Sequence, residues 1–129
     1  MKILVCGDRG WRNGALIERM LVHYGATMII HGAARGADLL GEAAAKHLQI
    51  PYLGIPAEWD KLGNSAGPIR NQRMLDKGKP DMVLAFHGYI SGSKGTRDML
   101  ERAEKAGVPT VLIAGEEDEP CSGSESSGS

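Results

Sequence analysis

"TMIIHGAARGADLLGEAAA", residues 27–45, runs from an apolar stretch through a turn with two glycines and an arginine into an alanine-rich stretch. The apolar run is too short for a helix and unbroken, as a strand covered on both faces should be. From Gly36 to Leu48 apolar residues return with helical spacing, at Ala37, Leu40, Ala44, Ala45 and Leu48. A buried strand feeding a helix through a tight turn is the unit from which parallel sheets are built. The turn itself, "HGAARGAD", suggests a phosphate cradle. Gly32 and Gly36 allow close backbone approach, the helix start supplies free N–H groups and the positive end of a dipole, and Arg35 adds a charged fork.

The same alternation fills the chain. Short apolar runs at Ile3–Cys6, Thr27–His31, Tyr52–Ile55, Met82–Phe86 and Thr110–Ala114 predict strands, and the stretches near 13–23, 36–48, 67–77 and 94–106 predict helices. The last is the clearest, with Met99, Leu100, Ala103 and Ala106 on one face, Glu101, Arg102, Glu104 and Lys105 looking out, and Gly107 and Pro109 as a stop. Five strands alternating with four helices imply an α/β fold, a Rossmann-like three-layer sandwich around a five-stranded parallel sheet. The domain is expected over residues 1–114. "GEEDEPCSGSESSGS", residues 115–129, has almost nothing apolar to bury and is expected to be a disordered acidic tail.

Composition narrows the function classes. With 42% hydrophobic and 24% charged residues the chain reads as globular, no apolar run reaches membrane-spanning length, and a cytoplasmic location is expected. Cys6 in an apolar strand and Cys121 in the tail make neither a disulfide framework nor a zinc site. The net charge of −1 conceals an asymmetry: the tail holds 5 of the 16 acids and none of the 15 bases, leaving residues 1–114 at +4. That excess suits a small phosphate-bearing ligand better than a nucleic acid, which calls for a denser basic surface.

Parallel sheets bind ligands beyond the carboxyl ends of their strands. There the chain offers "GDRGW" with Gly7, Asp8 and Arg9, then the turn already described, with His31 at its head and Asp38 at its close. "GPIRNQRM" places Pro68 in a helix first turn and groups Arg70, Asn71 and Arg73, a set suited to phosphate or ribose oxygens. "SGSKGT" brings Ser93, Lys94, Gly95 and Thr96 to another helix entrance. Trp59 could stack on a base or cap the core, and Trp11 is expected to anchor the first helix. His31 and His87 both end strands, with no partner carboxylate evident in the sequence. No metal and no cofactor are implied.

Taken in order, "GDRGW", "HGAARGAD", "PAEW", "AGPIRNQRM", "LAF" and "SKGTRDM" resemble the YspA-type, cpYpsA-related branch of the SLOG superfamily, over residues 1 to about 114. "GPIRN" is similar to the P-x-R-N of the DNA-processing protein A (Smf) family. "SGSKGT" is similar to the P-G-G-x-G-T of the "lonely guy" phosphoribohydrolases. The resemblance implies a nucleotide-binding fold, with Arg70 as a functional arginine and Gly95 and Thr96 at a phosphate loop. One departure stands out: the phosphoribohydrolases carry a glutamate three residues after the threonine, and here that position is Met99. Asp98 is turned about 100° away around the helix and does not replace it.

Three functions are open to such a chain. The first is a sensor or sequestering module for a nucleotide or nucleotide-derived ligand, ADP-ribose-like or cyclic. The second is a nucleoside monophosphate phosphoribohydrolase, for which Asp8, Asp38, Glu58 or Asp98 would have to supply the acid. The third is single-stranded DNA binding, which wants more aromatics than the 5% present. A homo-oligomer, a dimer, is expected because so short a chain has few residues with which to close a pocket.

Overall fold

The computed structural model describes residues 1–88 and 94–114. The elements in chain order are β1 (Lys2–Gly7), α1 (Gly14–His23), β2 (Met28–His31), α2 (Ala37–Leu48), β3 (Tyr52–Gly54), α3 (Trp59–Leu62), a 3-10 turn (Gly63–Ser65), α4 (Ala66–Gly78), β4 (Met82–Phe86), α5 (Lys94–Lys105) and β5 (Thr110–Ile113). All five strands are parallel, in the order β3-β2-β1-β4-β5. The Rossmann-like sandwich expected from the apolar pattern is the observed architecture. The addition is α3: its four residues make little more than one turn, too short to leave a periodic signature.

The side-chain period of two assigns each strand residue to a layer. From β1, Ile3 and Val5 enter one core with Ile17 and Leu21 of α1 and Ala37, Ala44 and Ala45 of α2. Leu4 and Cys6 enter the other, with Met74 and Leu75 of α4 and Met99 and Ala103 of α5. Trp11 does anchor the first helix: it is buried, its ring packs on Phe86 at 5.6 Å, and its Nε1 donates to Asn13 O. Asn13 in turn caps α1, accepting the Leu16 amide at 3.0 Å.

The helices α1, α2 and α5 end on one device. At α5, Val108 N donates to Ala103 O and Gly107 N to Glu104 O, with Gly107 at φ +76°, a Schellman stop that releases the chain into β5. None of the helices is long and apolar enough to cross a membrane, among the described residues.

Candidate functional site

β1 hands the chain leftward to β2, and β4 hands it rightward to β5, so the loops leaving these two neighbouring strands diverge. Such a switch point opens a crevice at the carboxyl edge. Here it is a cleft of about 340 Å³. Gly7, Asp8 and Arg9 line it after β1, Ala34 and Asp38 after β2, and His87 after β4. Arg70, Asn71 and Met74 face it from α4, and Lys94, Gly95, Thr96 and Met99 from α5, with Cys6 at its base.

The "HGAARGAD" turn reaches this cleft in an unexpected way. Its amides already hold an anion, the chain's own: Asp38 Oδ2 accepts from Gly32 N at 2.9 Å and from Ala34 N at 3.4 Å. On the next peptide, across the same residue, Arg70 Nη1 donates to Gly32 O at 2.5 Å. A Cβ on Gly32 would overlap the Arg70 guanidinium and lie 2.9 Å from Asp38 Oδ2, so glycine is required there by the clamp. Gly36, at φ +76°, is needed for a related reason, since a Cβ would strike the backbone of Asp8 and Arg9. Burial pushes the Asp38 carboxyl up, against the pull of the Ala34 amide, Arg70 and the Gly32 amide. Burial also lowers Arg70, with Asp38 opposing, and the guanidinium stays charged at neutral pH.

Arg70 is braced from its own helix. Its Nε donates to Asn71 Oδ1 at 2.9 Å, while Asn71 Nδ2 donates to Gly95 O at 3.3 Å and Asp98 Oδ2 at 3.0 Å. A single buried amide therefore ties the arginine to the first turn of α5. Asp98 also accepts from Arg102 Nε at 2.8 Å, and Arg102 Nη1 donates to Gln72 Oε1. Arg102 thus bridges α5 to α4 and does not look out as its place in the helical pattern suggests. Arg9 and Lys94 are exposed at the cleft and make no ion pair among the described residues.

Several expected residues lie elsewhere. His31 is buried on the opposite layer, where its Nδ1 accepts the Ala33 amide and its ring lies 6.3 Å from that of Tyr52. His31 Nε2 lies 2.8 Å from Glu42 Oε1 of α2. Arg35 is exposed outside the cleft lining, and Gly32 and Gly36 act beneath it. Pro68 sits in the first turn of α4 without lining the cleft, and Arg73 lies 4.0 Å from Glu58. Trp59 is 49% exposed on α3, against Gly67, beside a separate shallow hollow. Ser93 and the tail lie outside the described residues.

Sequence reasoning did not place Cys6, Ala34, Met74 or Met99 at the cleft. Met74 follows Arg70 by four positions, one helical turn along the same face, which is the signal that would have found it. Burial pushes the Cys6 thiol far up, so it is a core thiol and no nucleophile. The carboxylates at the cleft are Asp8, whose Oδ1 accepts the Gly10 amide, and Asp38. At the position following Thr96 by three, the wall is the Met99 thioether. Among the described residues no three metal-ligating side chains gather.

A model of the YspA, cpYpsA-related SLOG family matches residues 1–62, which span β1 to α3 and so include the clamped turn. The Gene 61 protein of Mycobacterium phage D29 is 31% identical over 121 residues, covering 85% of this chain and 94% of the phage protein. The chain belongs to the YspA, cpYpsA-related SLOG family. Arg70 and Asn71, which brace the cleft of this SLOG domain, lie beyond the stretch matched by the family model and inside the part carried by α4.

Proposed function

We propose that the cleft binds a nucleotide or nucleotide-derived small molecule, seating its phosphate between Arg70 and the first turn of α5, and that the protein is a sensor or sequestering module. The observation that carries this reading is convergence. One braced guanidinium, two exposed cations and an opening helix meet at the switch point of a parallel sheet, where anions are favoured by charge and by the positive end of the helix dipole. Gly95 supports it: among the described residues a Cβ there would meet nothing within 4 Å, so their packing gives no reason for a glycine and close approach by a ligand does.

Isothermal titration against nucleoside monophosphates and ADP-ribose tests it. Arg70→Ala is expected to weaken binding by roughly 1.5 to 3 kcal/mol, the scale of a hydrogen bond to a charged group. Arg19→Ala, on the exposed side of α1, serves as the control and should leave affinity unchanged. Equal affinities for Arg70→Ala and the parent, with the fold intact by circular dichroism, would overturn the reading.

A second reading, cleavage of a nucleoside monophosphate at its N-glycosidic bond, is favoured by Asp38, a cleft carboxyl whose pKa burial raises toward the range of a general acid. Release of free base from nucleoside monophosphates, abolished in Asp38→Asn, would select it over the binding module.

A further inference from the structure

Arg9 lines two hollows. Besides the cleft it borders a shelf of about 440 Å³ shaped by Arg12, Gly36 and Leu39, between the loop after β1 and the first turn of α2. The shelf floor is preformed. Asp8 O accepts from both Trp11 N at 3.2 Å and Ala37 N at 3.1 Å, which locks the two loops together, and Asp8 Oδ1 fixes Gly10 N. Its lining includes two arginines and no carboxylate. Leu39 is 44% exposed, an apolar side chain turned to water on the first turn of an otherwise amphipathic helix.

We propose that cleft and shelf are one site, and that the ligand has two groups joined by a diphosphate, the bridge passing over Arg9 and the distal group lying on Leu39. This rests on the nucleotide reading of the cleft and extends it. The cleft alone is near the lower end of the size range for small-molecule sites, roughly 300 to 1,000 Å³, which suits a single nucleotide. Arg9 lines both hollows, so a phosphate bridging them meets its guanidinium, which holds a phosphate by paired N–H donors. Beyond it, an uncharged sugar or base covers Leu39 while keeping its polar edges in water.

The test pairs matched probes: AMP with ADP-ribose, GMP with GDP-mannose, and UMP with UDP-glucose, titrated into the full chain. For the base that binds, the diphosphate sugar should bind more tightly than its monophosphate by about tenfold or more, a gain of about 1.4 kcal/mol. The double variant Leu39→Ser with Arg12→Gln should remove that gain and leave the monophosphate within about twofold, since neither side chain lines the cleft. Arg70→Ala should weaken both members of the pair. The Leu39 methyl resonances should shift with the diphosphate sugar and stay in place with the monophosphate. A monophosphate that binds through Arg70 as tightly as its diphosphate sugar overturns the shelf and spares the cleft. Diphosphate-sugar binding unmoved by the double variant does the same. No binding by any probe overturns both.

Discussion

Gly32 carries a guanidinium on its carbonyl and a carboxylate on its amide, and through it two opposite charges are set at the wall of one cleft. The consequence for Asp38 is testable. Its folded pKa is raised, so the unfolded chain releases the proton first as pH climbs above the ordinary aspartate range, and this contribution to stability falls until the folded carboxyl also ionises. Asp38→Asn keeps an oxygen for the two amides and removes the ionisation. The stability of the parent relative to this variant, from urea unfolding at stepped pH, should decline from about pH 4 upward and then level. A difference that rises over that range would contradict it. At this scale the sequence was legible in kind and not in direction. Asp38, Arg70 and Asn71 were recognisable as polar groups at strand and helix ends, but Asp38 proved to fill the turn that it was expected to share with a ligand. His31 stands two residues from Ile29, whose layer is the α1–α2 side, so its parity already turned it from a cleft built by α4 and α5. Parity shows only that residues share a layer; which layer bears the cleft depends on the order of the strands.

The elements were more legible than their contacts. Every strand and long helix lies within two residues of its expected bounds, because burial on both faces gives unbroken apolar runs in the central strands β1, β2 and β4, and half burial gives the helices a period near 3.6. Arg102 shows what such periodicity omits: a position between two faces can reach a neighbouring helix by a long side chain. Two glycines separate packing from binding. Gly36→Val, forced against the backbone of Asp8 and Arg9, should destabilise the fold by about 2 kcal/mol or more, the scale of a backbone conflict. Gly95→Ala, on the first turn of α5 and clear of the other described residues, should raise stability by roughly 0.5 to 1 kcal/mol through helix propensity and yet weaken nucleotide binding. Thermal melts and titrations on the same samples decide this, and a Gly95→Ala protein that binds like the parent would remove the close approach at α5.

Across the whole molecule, one strand order explains both layers and the cleft, and the alternation of elements was enough to anticipate a parallel sheet though not its β3-β2-β1-β4-β5 sequence. We propose that the protein pairs: at 13.8 kDa per chain, sedimentation at micromolar concentration with ligand present should give about twice that mass, since oligomers of such chains are most often two-fold dimers. Removal of residues 116–129 should leave affinity for the probes within about twofold, because its acids are repelled by a phosphate and do not hold it. A tenfold loss would assign the segment a role in the site. Because every strand points the same way, the chain enters the sheet at Lys2 on the edge away from the cleft and leaves it at Ile113 on the cleft edge. That polarity gives the molecule a front and a back for immobilisation. A sensor surface or fluorescent reporter coupled ahead of Met1 keeps clear of incoming ligand, whereas cargo fused after β5 stands at the doorway.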